Sequence, residues 1–300
     1  MRTVVLPLAL EFEWHLKLAL ACTITSALRT ITPWTACVGP ELSAVLRDLL
    51  PEELWVCREV ASVTGAQEDY DEAKHISCVL RESHEAKADA MNQTLVIAAA
   101  LAEIPLGESE CYATFLFGLG TGNEKMDWLE RYTWKLLEAT LLPALDSGIC
   151  LEAHGQNMLV RIDKATREVV GFVVRDLGGI KCHSPTLRQK GYVLSSALPG
   201  SFVTTEDEEA AWGVLQHTVI QSHIQHLIRR LQLEPARAWG RIREQIEDLL
   251  GARKDLDVTL RFKEFLFAPV VKNKAFLGMK LQGLYRDYEY TMVPNVLMTK

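Results

Sequence analysis

Two apolar runs separated by four polar residues constrain the fold of this chain more than any other feature. Residues 157–163 (NMLVRID) and 168–175 (EVVGFVVR) each have strand length and β-forming composition, and residues 164–167 (KATR) between them read as a turn. The pattern predicts a β-hairpin. A hairpin returns the chain to where it started. Asp176 at the exit is therefore expected beside the polar segment at the entry, Glu152, His154, Gln156 and Asn157.

The flanking sequence has a different texture. A Gly-rich stretch at 117–125 precedes a helical period over about 126–141, with Met126, Leu129, Tyr132, Thr133 and Leu136 on one face. Upstream, residues 15–22 alternate, placing Leu16, Leu18, Leu20 and Cys22 on one side and His15, Lys17, Ala19 and Ala21 on the other, as in a half-buried strand. Thr25 and Ser26 then read as N-cap residues for a helix beginning at ALRTI. Helix-forming runs follow at 41–50, 84–103, 206–232 and 234–251, and the end of the chain is mixed. There is no internal repeat. A boundary near 105–125 would divide the chain into 1–105 and 106–300.

Composition bounds the function. With 300 residues, 48% hydrophobic and 24% charged, the chain can bury a substantial core. A net charge of -7 argues against a general electrostatic hold on nucleic acid but leaves room for a local basic pocket. Seven scattered cysteines form no C-x-x-C pair, so neither a zinc site nor a disulfide framework is indicated, and a reducing compartment is expected. No stretch reaches the roughly 18 apolar residues of a membrane span. The first residues make a poor signal peptide. Together these features predict a cytoplasmic protein with no membrane partner.

Two clusters could carry chemistry. Around the hairpin, the oxygens of Glu152, Asn157 and Asp176 are hard ligands suited to Mg²⁺, and His154 and Gln156 could contact a phosphate or substrate oxygen. An Asn before a hairpin and an Asp after it is also how protein kinases hold Mg²⁺ on ATP. The plain structural alternative is that His154 caps a helix and Asp176 caps a turn before Gly178. In the second cluster, Lys17, Thr25, Ser26 and Arg29 would gather a lysine, two hydroxyls, a helix N-terminus and a guanidinium into an anion site. A routine N-cap with solvated cations is the competing reading. His217, His223 and His226 lack matching carboxylates, so a solvated or partly packed helix face is expected there. The glycines at 118–122 lack the full phosphate-loop pattern and read as a loop.

The two clusters together resemble the siderophore synthetases that work independently of nonribosomal peptide synthetases, the aerobactin-synthetase (IucA/IucC) family. The likeness is carried by residues 127–160 (DWLERYTWKLLEATLLPALDSGICLEAHGQNMLV) with VVRDLGG at 173–179, by HLKLALACTITSALRTI at 15–31, and by VVKNKAFLGMKL at 270–281 with VPNVL at 293–297. Ala19 stands where the family commonly has Ser, and Val296 departs from its Pro.

The resemblance implies a mixed α+β, hand-like fold, of which this chain would supply most of the palm and thumb. It implies an ATP-dependent ligase that forms an acyl-adenylate of citrate or a related acid and passes the acyl group to an amine or alcohol. By position, Lys17, His154 and Arg29 would be catalytic. Arg2, Thr3, Lys17, His154 and Gln156 would bind nucleotide, and Thr25, Ser26, Arg29 and His154 the substrate carboxylates. Asp176, Glu152 and Asn157 would face Mg²⁺. Members are about twice this length and often dimeric, so the likeness implies a fragment, a misplaced start or a shortened descendant, whose Met1-Arg2-Thr3 looks like the end of a Ser-x-Arg-Thr phosphate motif, and admits a homodimer. A kinase-like phosphotransferase and a truncated, non-catalytic binding module for nucleotide or carboxylate are the alternatives.

Overall fold

The structure, a computed structural model, describes residues 2–24, 27–253, 255–283 and 289–300. Thr25 and Ser26 lie outside them. The expected hairpin forms: Met158–Asp163 pairs antiparallel with Val169–Val174, from Met158 opposite Val174 to Ile162 opposite Val169. Its turn is built by Asp163, whose carboxylate accepts from the N–H groups of Ala165 and Thr166 at 2.9 and 2.8 Å. Leu54–Val56 joins one edge in parallel and Gln93–Ile97 the other edge antiparallel, which completes a four-stranded sheet. Both hairpin strands are buried almost throughout, which is why they read as continuous apolar runs rather than alternations.

A second four-stranded sheet runs in the order Thr3–Val4, His15–Leu18, Cys78–Arg81, Glu59–Val63. Helix α1 (Pro33–Leu49) packs against strand Glu59–Val63 of this sheet, strand Leu54–Val56 of the first and the turn Leu177–Gly179 after the hairpin, with Ser43 accepting from the Glu59 N–H at 2.8 Å. Helix α2 (Gly122–Ser147) opens with a Thr121–Glu124 capping box and ends on left-handed Gly148. Its predicted face of Met126, Leu129, Tyr132, Thr133 and Leu136 is fully buried. Cluster residues of the largest core come from both sides of position 105. No helix among the described residues is long and apolar enough to cross a membrane.

Three local expectations are corrected. Ala27–Leu28 is a strand paired with Thr23–Ile24, not the start of a helix. The helix waits until Thr32 caps it and Pro33 opens it, since a helix begun at residue 27 would hold Pro33 in its interior. The 84–103 run breaks into Glu85–Ala90, a left-handed Asn92, strand Gln93–Ile97 and the turn Ala98–Leu101. There the β-branched Thr94, Val96 and Ile97 are claimed by pairing with Met158–Asp163. Finally, the helical stretch Glu208–Arg230 contains a π-helical middle at Gln216–Ile224; the solvated or partly packed face expected of its histidines holds for His217 and His226, whereas His223 is buried.

The C-terminal part adds α3 (Pro235–Gly251), the helix Leu256–Leu266 and a two-stranded ribbon of Val270–Lys274 with Tyr290–Pro294. Asn295 fastens this part: its amide donates to the carbonyls of Leu266 and Ala268 at 2.7 Å each, and its oxygen accepts from Gln216 at 3.1 Å.

Candidate functional site

Strand pairing brings the first predicted residues together. Thr3 lies directly opposite Lys17, and the carbonyl of Arg2 accepts from the Leu18 N–H at 2.8 Å. Lys17 does not occupy a solvated face. It is 2% exposed, and its ammonium donates to Oδ1 of Asp176, 159 residues away. Glu59 Oε1 lies 3.9 Å from the same ammonium. Thr3 Oγ1 accepts from Arg81 at 3.4 Å, and the Arg2 guanidinium donates to the Thr30 carbonyl.

Asp176 is held at the hairpin exit in a left-handed conformation, φ 69°. Burial would raise its pKa, but the Lys17 ammonium, with Arg81 and Arg2 further out, takes it down to about 2. Glu59 is fully buried between α1 and the hairpin exit, accepts from the Leu177 N–H at 3.4 Å, and is pushed up by its burial despite Lys17.

The hairpin also closes as expected, with the Arg175 N–H donating to the Asn157 carbonyl at 3.0 Å. The Arg175 guanidinium donates to the carbonyl of exposed Gln156 at 3.2 and 2.9 Å, which clamps the entry segment to the exit. Asn157 is buried and spends its amide on Glu152, at 3.1 Å to the carbonyl and 3.1 Å to Oε2. It therefore orients the Glu152 carboxylate. Burial, reinforced by the Asp176 charge, pushes Glu152 up to about 7, with Lys274 and Lys17 opposing. Gly179 makes this approach possible: a Cβ there would lie 1.8 Å from Glu152 Oε2.

His154 accepts at Nδ1 from the Gln156 N–H at 3.2 Å. Its neutral form therefore carries its proton on Nε2, available to a ligand oxygen. Burial lowers its pKa, against the pull of Asp176. His154 does not cap a helix. Its segment is held from behind by the π-helix: His223 Nδ1 donates to the Ala153 carbonyl at 2.9 Å, and Tyr132 donates to His223 Nε2 at 2.8 Å. That bulged helix geometry is typical of functional regions.

Arg2, Thr3, Lys17, Asp176, Glu152, Asn157, His154 and Gln156 thus gather at one end of the hairpin. Arg29 does not join them through any described contact. It sits on extended chain, its N–H bonded to the Cys22 carbonyl at 2.9 Å, and among the described residues its guanidinium has no hydrogen-bond or ion-pair partner. Sequence reasoning missed Glu59 and Arg81, which no local pattern marks, and it named His223 without its buried role behind Ala153. It also missed Lys274, although the VVKNKAFLG segment pointed to it. Half-buried Lys274 has its pKa lowered by burial and faces Glu152.

Among the described residues no three His, Cys, Asp or Glu side chains converge as a metal cluster. The acidic donors number two, Asp176 and Glu152, whose mutual repulsion raises Glu152. Two carboxylates are what Mg²⁺ takes from protein when a phosphate chain and water complete its shell, so the donor set fits that ion. A cavity of about 420 Å³ near Trp128, Trp134 and Gln245 is lined by none of these residues.

Comparison with known proteins matches residues 1–103 to the model of the IucA / IucC family and residues 126–289 to the model described as ferric iron reductase FhuF-like transporter. The chain is 40% identical over 299 residues to the NRPS-independent siderophore synthetase-like protein ankE of Aspergillus thermomutatus, covering 96% of this chain and 48% of that protein. It is 22% identical over 319 residues to the D-ornithine–citrate ligase of Staphylococcus aureus, covering 94% and 48%. The fold superimposes on ATP-bound aerobactin synthetase IucA from Klebsiella pneumoniae with a TM-score of 0.73 at 16% identity, covering 100% of this chain and 54% of that one. The chain spans about half the length of the curated relatives it matches.

Proposed function

The chain belongs to the IucA/IucC family of NRPS-independent siderophore synthetases, and over residues 126–289 to the FhuF-like family, and from that premise we propose that it activates a polycarboxylic acid with ATP and condenses it with an amine or alcohol. The observation that carries this reading is the buried Lys17 ammonium on Asp176, ringed by Arg2 and Arg81 and facing a second carboxylate, Glu152. Such a site suits a crowded polyanion. The ATP-bound aerobactin synthetase and the citrate ligase among its relatives support ATP and citrate, or a related acid, as substrates.

The chemistry needs no general base in its first half. A substrate carboxylate oxygen, already ionised, attacks the α-phosphorus; the bond to the bridging oxygen breaks and pyrophosphate leaves. An amine or hydroxyl then attacks the acyl carbon, AMP departs with the bonding pair, and the nucleophile's proton passes to solvent or AMP. Lys17, with Arg2 and Thr3 beside it, would neutralise the phosphates, and Gln156 would lie near them. His154 would donate from Nε2 to the oxygen that gains charge. Arg29, with Thr25 and Ser26, would hold the acid's remaining carboxylates. Asp176 and Glu152, the latter oriented by Asn157, would hold Mg²⁺, which when bound supplies charge neutralisation for the triphosphate.

The test is calorimetric titration of the chain with MgATP, followed by a pyrophosphate-release assay with citrate and hydroxylamine. Binding with pyrophosphate release is expected. Release of ADP with a phosphorylated product would favour the kinase reading. Binding without turnover would favour a non-catalytic module, and no binding by folded protein would refute the site. Gel filtration at micromolar concentration would test the homodimer that the family resemblance admits.

A further inference from the structure

Glu59 carries an anomaly beside the site. It is 0% exposed, and its Oε2 has no hydrogen-bond partner. A buried carboxylate oxygen left this way is costly and calls for a cause. Gly39 of α1 closes one side of it, since a Cβ there would lie 2.4 Å from Oε2. The ammonium of Lys17 is close, 3.9 Å from Oε1, but is committed to Asp176. Two acids therefore flank one buried ammonium, and they differ in access. The Asp176 side chain is 37% exposed, whereas Glu59 is sealed.

We propose that Glu59 is the second seat of the Lys17 ammonium, taken when a ligand's cation engages Asp176. The proposal rests on the nucleotide-and-metal reading of the site and extends it to a residue that reading does not use. A cation drawn to Asp176 competes directly with Lys17. Without another acid the displaced ammonium would be left buried and uncompensated, at a penalty large enough to oppose binding. With Glu59 one side-chain rotation away, Lys17 keeps its charge balanced. It also stays beside the phosphates it serves. Glu59 is thus a positioning residue: it acts through Lys17 and touches no substrate.

The seat can be tested without any ligand. Asp176→Asn removes the first partner, and a crystal structure of that variant should show Lys17 Nζ within about 3 Å of a Glu59 carboxylate oxygen. Because Glu59 takes over, Asp176→Asn and Glu59→Gln should each fold with a modest shift in denaturation midpoint. The double variant should raise the unfolding constant about tenfold more than the two singles combined, the mark of two acids substituting for each other. Lys17 remaining on residue 176 or turning to solvent, additive singles, or an Asp176→Asn chain that cannot fold while Glu59→Gln does would each overturn the proposal. MgATP titration separates the two readings. A Lys17 that moves in a protein that binds no MgATP retains the seat and removes the proposed reaction. Normal MgATP binding with an immobile Lys17 removes the seat alone.

Discussion

Replacing His223 by Asn should flatten the acid limb of the stability profile by a predictable amount. His223 is fully buried, donates from Nδ1 to the Ala153 carbonyl at 2.9 Å and accepts from Tyr132 at 2.8 Å. Both ring nitrogens are therefore committed in the neutral form, and burial lowers the pKa from 6.5 to about 4. The unfolded chain takes up the proton near 6.5, so between pH 6.5 and 4 it binds more protons than the folded one, and stability falls as pH falls. At about 1.4 kcal/mol per tenfold of proton affinity, the whole window costs about 3 kcal/mol, of which about 2 kcal/mol is lost by pH 5. Asn at this position can still donate to the Ala153 carbonyl but has no proton to gain. Urea unfolding at pH 7 and pH 5 provides the assay. The variant should start about 1–2 kcal/mol less stable, because Tyr132 loses its acceptor, and should then fall about 2 kcal/mol less than the wild type. Parallel declines in the two proteins would refute the neutral, doubly bonded imidazole.

Gly179→Ala should leave the fold within a few degrees of the wild-type melting temperature but weaken MgATP binding at least about tenfold, because the new Cβ displaces the Glu152 carboxylate; unchanged calorimetric affinity would contradict that role for Glu152. For Glu152→Gln the sign of the pH effect is opposite to that of His223. A carboxyl raised to about 7 contributes stability that is full below its ordinary pKa and lost as pH rises through 7, so the ligand-free variant should overtake the wild type in thermal stability at pH 8. Arg29→Ala should reduce acid-dependent turnover more than ATP affinity, because its expected partner is a carboxylate, and equal losses in titrations of folded protein would remove that assignment.

Legibility in the sequence followed the range of the interaction. The hairpin over 158–174 and helix α2 could be read because each is stabilised mainly by its own periodicity and turn chemistry. These are the turn after Asp163 and the buried Met126–Leu136 face; sequence reasoning missed the Thr121–Glu124 box, which starts the helix at Gly122 rather than at about 126. The juxtaposition of Asp176 with Glu152 and Asn157 followed from the hairpin alone, since a two-strand turn fixes where its ends meet. Helix propensity failed at 84–103, where an edge of the central sheet required a strand, and at 27–28, where pairing with Thr23–Ile24 and the place of Pro33 decided otherwise.

What the sequence determined by itself is a set of locally encoded pieces: one hairpin, one long capped helix, and polar residues gathered at a strand entry and exit. Tertiary structure alone decided which side of its strand Lys17 would present and that Glu59 and Arg81 would stand beside it. It also decided that a histidine on a bulged helix would hold the Ala153 carbonyl. The physical reason is that burial and charge are properties of whatever packs alongside. Lys17 and Asp176 are 159 residues apart in the chain, and only the meeting of the two sheets turns a lysine that alternation assigns to solvent into a buried ammonium with two acids to choose between.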